Sequence, residues 1–341
     1  MKKILLVGGG SGGHIIPLKP IAERLTGEDT SVHVLTTNSA LDKKIVEENF
    51  ENITHHGLST DKIRAYRSWK NILAPLKILR AIFTARRIVK AIQPDVVFLK
   101  GGFLCFPVAV AAKFLMSKKI PMILHESDIL AGPLTKILMK LSDKTLKSFD
   151  NKNPMPLMAE QKDITVMPHL EQADRPVLVV CGGSQGAKFL NNLVVSCRDF
   201  LEQYMHTALI TGPKKSVKDW NSGHFEQHEM LTTRDLQRYI LSADVLLIRS
   251  GAGLLFEVVT AKKPSITVPH PHGRGYHQYY NARFFADRGL TKMIEEKDIT
   301  PNIFIKDLQN IMKNKEMQQN LQASTISNKA SHVADIIQSY L

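Results

Sequence analysis

The sequence predicts an α/β protein made of two Rossmann-like domains, each on a parallel sheet, facing one another across a cleft. Three observations carry this expectation. Short apolar runs alternate with helix-like segments along the chain, as the strands and crossover helices of parallel sheets do. Two of these runs lead into glycine-rich turns, "ILLVGGGSGGHIIPLKPIAERL" (Ile4–Leu25) and "VLVVCGGSQGAKFLN" (Val177–Asn191), one at the head of each half. A chain of 341 residues, 43% hydrophobic and 23% charged, is long enough for two buried cores of ordinary soluble composition.

In the first half, strands are expected at Ile4–Val7, Val32–Thr36, Val96–Leu99 and Met122–His125. Each is a nearly continuous apolar run, the pattern of a strand covered on both faces. Pro17–Leu25 reads as a helix whose first turn tolerates Pro17 and Pro20. Asp150–Pro176 is polar and proline-rich and reads as a domain junction, giving domains of 1–165 and 166–341. Strands resume at Val177–Cys181, Thr207–Thr211, Val245–Ile248 and Ser265–Val268. Whether the last helix, within Met317–Leu341, returns to the first domain is left open.

No apolar run approaches the ~18 residues of a spanning helix. The opening "MKKILLV" runs into glycines too soon for a signal peptide, so a cytoplasmic location is expected. Cys105, Cys181 and Cys197 have no metal-ligand spacing, and their odd number suits a reducing compartment. The net charge of +13 is uneven: residues 1–150 hold 23 Lys+Arg against 13 Asp+Glu, and Lys62–Lys90 holds nine basic residues and no acidic one. Such asymmetry points to an anionic partner, whether membrane, nucleic acid or phosphorylated substrate.

Glycines between a strand and a helix let backbone N–H groups approach a phosphate at the helix N-terminus. Gly8, Gly10 and Gly13 also satisfy the dinucleotide spacing G-x-G-x-x-G. The next strand, however, ends in Thr36, Thr37 and Asn38, and no carboxylate follows until Asp42, which disfavours NAD. Further turns of this kind are "LKGGFLCFP", where Lys100 adds charge before Gly101 and Gly102, and "RSGAGLLFEVVTAKKP", which carries Glu257. No Asp-x-Asp pair occurs, so no metal-bridged pyrophosphate is suggested.

The segments "GGGSGGHIIP", "GGF…P", "HES…AG", "GGSQGA…LN", "RSGAG…E" and "HQYYNA" follow one another as in the MurG family of glycosyltransferases, within glycosyltransferase family 28. The chain resembles that family from about residue 4 to residue 290. The resemblance implies a GT-B fold and an inverting mechanism with neither metal nor cofactor. N-acetylglucosamine would move from UDP-N-acetylglucosamine to the 4-hydroxyl of an undecaprenyl-pyrophosphoryl-muramyl-pentapeptide. It implies an acceptor pyrophosphate held by Ser11, Gly12, Gly13, Lys100, Gly101 and Gly102. It places UDP-sugar against Ser184, Gln185, Gly186, Thr233, Ala252, Gly253, Glu257, Gln278 and Asn281. A neutral imidazole can take a proton from a sugar hydroxyl, so His14 is the candidate base, with Glu126 the alternative. The family also works at the cytoplasmic face of the cell membrane as a peripheral protein. In "YRSWKNILAPLKILRAIFTARRIVKAI", Ile72, Leu76, Leu79 and Phe83 recur at helical spacing among Lys77, Arg80, Arg86, Arg87 and Lys90. That segment, with Trp69, reads either as a core helix with a basic face or as an interfacial segment on anionic lipid.

Some positions depart from the family pattern. Leu170 stands for an arginine, Gly253–Leu254 for a leucine–threonine pair, Asp128 for asparagine and Cys105 for serine. Three other readings therefore stand beside the first. They are a related GT-B transferase with another UDP-sugar or lipid acceptor, a UDP-sugar epimerase, and a non-catalytic nucleotide or nucleic-acid binder. The basic stretch lacks the interleaved aromatics of a single-strand binder, so no nucleic-acid partner is expected.

Overall fold

A computed structural model describes residues 1–50, 53–60, 70–150, 155–157, 164–218, 220, 222–271 and 276–341. The chain divides into two units, Met1–Met158 with Lys329–Leu341, and Ala159–Asn328. Trp69, the side chain of Ile72 and part of the proline-rich junction lie outside the described residues.

The first unit runs β1 (Lys2–Val7), α1 (Gly12–Ile15), α2 (Leu18–Leu25), β2 (Thr30–Thr37), α3 (Ala40–Asn49), β3 (Thr54–Leu58), α4 (Lys70–Ile92), β4 (Val96–Leu99), α5 (Cys105–Phe114), β5 (Met122–Glu126), α6 (Pro133–Leu141) and β6 (Lys144–Lys147). The strands pair in the order β3-β2-β1-β4-β5-β6, every pairing parallel. Successive strand residues point to opposite faces. Leu5 and Val7 therefore join a core with Ala85, Val108 and Leu124, while Ile4 and Leu6 join one with Ile21, Val34 and Phe98.

The second unit runs α7 (Pro168–Glu171), β7 (Val177–Cys181), α8 (Lys188–Ser196), α9 (Arg198–Tyr204), β8 (His206–Ile210), β9 (Phe225–His228), α10 (Thr233–Ser242), β10 (Val245–Ile248), α11 (Ala252–Thr260), β11 (Ser265–Thr267), α12 (His277–Ala286), β12 (Lys292–Met293), α13 (Pro301–Met312) and α14 (Lys315–Ala323). Its order is β12-β11-β10-β7-β8-β9, again wholly parallel. Counted from its own first strand, each sheet reads 3-2-1-4-5-6, the doubly wound order of Rossmann folds. The last helix, α15 (Ala330–Gln338), packs on α2 in the first unit, where Val333, Ala334 and Ile337 enter the core.

The long helix α4 turns an alanine-rich face inward. Ala74, Ala81, Ala85 and Val89 are buried, and α4 packs closely on α5. The apolar stripe that sequence spacing offers as a core face points the other way: Leu76 is 68% exposed, Leu79 51% and Phe83 54%. Among the described residues, no helix is long and apolar enough to cross a membrane.

One buried carboxylate fixes the turn after β1. Ser39 caps α3 by accepting from the Asp42 amide at 3.1 Å. Asp42 Oδ2 in turn accepts from the Gly10 amide at 2.8 Å, the Thr37 amide at 3.1 Å and the Thr37 hydroxyl at 2.6 Å. Thus the carboxylate that sequence reading sets aside as misplaced for a ribose ties the ends of β1 and β2 together. Asp42→Ala leaves the buried Thr37 amide unpaired, the hydroxyl keeping Ser39 Oγ at 3.1 Å, and should lower stability by about 1–3 kcal/mol. Urea unfolding measures this; an unchanged midpoint would show the bracing to be energetically idle.

Candidate active site

In the first unit the turns leaving β1, β4 and β5 converge. Gly101 and Gly102 take φ of +90° and +84°, a conformation that favours glycine. A Cβ on Gly102 would lie 3.1 Å from His14 Cδ2 and 3.2 Å from Nε2, so glycine there gives the imidazole its place. His14 Nδ1 lies 3.3 Å from the Lys100 carbonyl oxygen. A carbonyl can only accept, so Nδ1 carries the proton and Nε2 is left with its lone pair. Burial first, and the Lys100 ammonium second, lower the pKa of His14 to about 4. The ring is therefore a neutral acceptor at neutral pH, the state a general base needs. Ser11 precedes α1 with no side-chain cap bond, Gly12 is buried at its start, and Gly13 is exposed.

Lys100 does not occupy the place expected of it. Its side chain is 1% exposed and its ammonium donates to Ser127 Oγ, with Met155 Sδ 3.9 Å away. Burial lowers its pKa to about 8, against the opposing charges of Glu126 and Asp128. A cation so enclosed braces the turns after β4 and β5 from within and does not present itself to a ligand at the glycine turn. Glu126 is also engaged. Its Oε1 accepts from the Asp128 amide at 2.9 Å, and Thr135 gives it a further hydrogen bond. Burial raises its pKa. Of the two candidate bases, His14 has no hydrogen bond at Nε2 among the described residues, whereas the Glu126 carboxylate accepts two. Cys105, where the family has serine, donates its thiol to the Gly101 carbonyl at 3.0 Å. Burial pushes that thiol up to about 12, so it stays protonated and serves as a hydroxyl would.

In the second unit the turns after β7 and β8 are pressed together. A Cβ on Gly186 would fall 2.1 Å from the Thr211 carbonyl oxygen and 2.5 Å from Gly212 Cα. Lys215 Nζ ties this contact by donating to the Gln185 carbonyl and, at 3.2 Å, to that of Gly186. Ser184 and Gln185 stay exposed at the tip, ahead of α8. Beside them α11 begins at Ala252 after its cap Gly251, and its first N–H groups have no partner within the helix. Glu257, just over one turn into α11, makes no hydrogen bond or ion pair among the described residues. Burial raises its pKa to about 7.

The remaining expected residues separate by burial. Asn281 is 0% exposed and donates to the Ser250 carbonyl at 3.3 Å, so it positions the turn before α11, and the expected sugar contact does not fit its place. Gln278 is partly exposed and accepts from the His270 amide at 3.0 Å. Thr233 is partly exposed at the first position of α10. Leu170 points into the core. Arg249, in the motif before α11, is a brace that sequence reading missed. It donates to the Val268 and Pro269 carbonyls at 3.1 and 3.2 Å and pairs with Glu296. Its partners are 19, 20 and 47 residues away, and only the fold brings them near.

Residues 4–147 match the glycosyltransferase family 28 N-terminal domain and residues 177–340 the glycosyltransferase family 28 C-terminal domain. A UDP-N-acetylglucosamine–N-acetylmuramyl-(pentapeptide) pyrophosphoryl-undecaprenol N-acetylglucosamine transferase of Clostridium kluyveri is 30% identical, with 100% of both chains covered. The crystal structure of MurG from Acinetobacter baumannii is 27% identical, with a TM-score of 0.73 over 99% of this chain and 100% of that one. The glycosyltransferase SnogD from Streptomyces nogalater, at 12% identity and a TM-score of 0.67 over 100% of this chain and 99% of its own, shares the fold. With two consecutive family domains covering most of its length, the chain belongs to glycosyltransferase family 28.

Proposed function

We propose that the chain transfers N-acetylglucosamine from UDP-N-acetylglucosamine to the 4-hydroxyl of a lipid-pyrophosphate-linked N-acetylmuramyl-pentapeptide, without a metal ion. The name borne by the relatives along their whole length suggests the substrates. The observation that carries the chemistry is the open Nε2 of a neutral His14 among the glycine turns of the first unit. Nε2 takes the hydroxyl proton as the acceptor oxygen bonds to C1 of the sugar. The C1–O bond to the β-phosphate breaks, and its electron pair leaves on UDP. Attack from the side opposite the leaving group inverts the configuration. In this reading the turn 184–186 and the opening N–H groups of α11 meet the charge that develops on UDP. Glu257 accepts from the ribose hydroxyls, Gln278 and Thr233 stand at the sugar and nucleotide, and Ser11 to Gly13 take the acceptor pyrophosphate.

The lipid half of the acceptor calls for a membrane surface, and α4 supplies features suited to one. The exposed Leu76, Leu79 and Phe83 recur at helical spacing beside exposed Lys77, Arg80, Arg86, Arg87 and Lys90. An outward apolar stripe flanked by cations is the composition of an interfacial segment on anionic lipid. The reading therefore places the chain at the cytoplasmic face of the membrane, held peripherally.

Three outcomes test the proposal. His14→Ala should lower kcat by roughly 10²–10⁴-fold and leave UDP affinity unchanged. Because the base must be unprotonated, the parent's rate should fall only as pH drops through about 4. A saturating variant rate within about threefold of the parent would remove His14 from the chemistry.

Glu257 gives a pH signature of its own. Ribose hydroxyls bond the ionised carboxylate, so UDP affinity should be full above about pH 7 and decline as pH falls through it. Glu257→Gln should weaken UDP binding by about 1–3 kcal/mol and flatten that dependence. Calorimetry across this range decides; equal affinity in both proteins would leave Glu257 without a nucleotide.

Leu76, Leu79 and Phe83 changed together to serine should weaken co-sedimentation with anionic vesicles at least tenfold or so. Turnover of a soluble acceptor analogue should persist. Unchanged sedimentation would detach the stripe from the membrane.

A further inference from the structure

The edge of the second sheet carries a cluster that the transfer reaction does not use. In the parallel register of β8 and β9, Ala208 faces Glu226 and Ile210 faces His228. Side chains two apart share a face, so His206 and Ala208 on β8 lie on the same side as Glu226 and His228 on β9. The small Ala208 leaves room for the Glu226 carboxylate. His169 from α7 and Tyr239 from α10 complete the group.

The two carboxylate oxygens of Glu226 have different surroundings. Oε2 accepts from the Tyr239 hydroxyl at 2.8 Å and lies 3.2 Å from His228 Nε2. Oε1 faces His169 Nε2 at 3.0 Å and His206 Nε2 at 3.5 Å. Among the described residues the buried His206 Nε2 has no hydrogen-bond partner. The three ligand atoms of His169, His206 and Glu226 all lie within 4.8 Å of one another.

We propose that His169, His206 and Glu226 form a binding site for a divalent transition metal of the zinc class. A tetrahedral ion with bonds of about 2.0–2.1 Å separates its ligand atoms by about 3.3 Å, close to the two distances at Oε1. Two imidazoles and one carboxylate select Zn²⁺, Co²⁺ or Ni²⁺ over the harder Mg²⁺ and Ca²⁺. The partly exposed His169 leaves the remaining position open to water. Tyr239 and His228 hold Oε2, as outer partners orient a ligating carboxylate. His206 starts β8, whereas Gly212 follows the end of that strand, so the site and the Gly186–Gly212 contact are at opposite ends of β8. The bound ion would join α7 to the β8–β9 edge and act on stability rather than on sugar transfer.

The test uses the full chain, stripped with chelator and then titrated with Zn²⁺ by calorimetry and with Co²⁺ by visible absorption. One saturable equivalent is expected, with a tetrahedral Co²⁺ spectrum and a rise in melting temperature on metal addition. His169→Asn, at a half-exposed position, and Glu226→Gln should lose that equivalent, and Tyr239→Phe should weaken it by roughly 10–100-fold. Changing His33 and His56, an imidazole pair of the first unit whose Nδ1 and Nε2 lie 3.1 Å apart, to asparagine should have no effect. A parent without a saturable equivalent, or an equivalent retained in both His169→Asn and Glu226→Gln, would overturn the assignment. Circular dichroism of the metal-free variants confirms that each is folded before its titration is read.

Discussion

Parallel pairing is the constraint on which the rest of each unit depends. A strand paired in parallel with the next must be followed by a crossover, so all strands of a sheet release their chains at one edge. Within the order 3-2-1-4-5-6, the chain departs in opposite directions from the first and fourth strands. Those two strands are neighbours in both sheets: β1 beside β4, and β7 beside β10. Hence the turn bearing His14 lies against Lys100–Gly102, and in the second unit the turn 182–187 leaves next to the one that opens α11. The proposed chemistry draws on turns that topology forces together.

Within these turns, hydrogen bonding divides the polar residues into two kinds. Asp42, Lys100, Arg249 and Asn281 are buried and each has a partner in a neighbouring turn, while the buried Glu126 accepts from Asp128 within its own turn. Removing any of them from its partners would strand a buried polar group, so their role is to hold the turns in place. His14 Nε2 and the Glu257 carboxylate are the contrary case, poorly solvated yet left unengaged within the fold. Burial acts on both in the direction of neutrality, lowering the imidazole to about 4 and raising the carboxyl to about 7. The neutral imidazole is ready to accept a proton, and the carboxyl, ionised above about pH 7, can accept from a hydroxyl when a ligand supplies one.

How much of this the sequence reveals follows the same physics. Central strands are covered on both faces, and the expected strands at Ile4, Val96, Val177 and Val245 coincide with β1, β4, β7 and β10. The edge strands β3, β6, β9 and β12 read THHGL, KTLK, FEQH and KM, and so escape a search for apolar runs. The place of His14 in a glycine turn is legible because that turn is contiguous. Lys100 and Asn281 were misplaced because a motif fixes where a residue stands along the chain and leaves open which way its side chain turns. Glu226 and its neighbours draw on four elements between His169 and Tyr239, and no local spacing connects them.

Helix α4 shows why apolar spacing alone does not identify a core face. Helices that approach closely need small side chains at the contact, and α4 packs on α5 with Ala81, Ala85, Val108, Ala109 and Ala112 in one buried cluster. A leucine or phenylalanine at those positions would hold the helices apart. The larger apolar residues are thus displaced to the outer face by the packing itself, onto the surface that also bears the cations. In water such a stripe gains nothing from burial, since the alanine face already fills the core. A second apolar phase outside the protein would account for such a stripe, and that is the ground on which membrane association is proposed above.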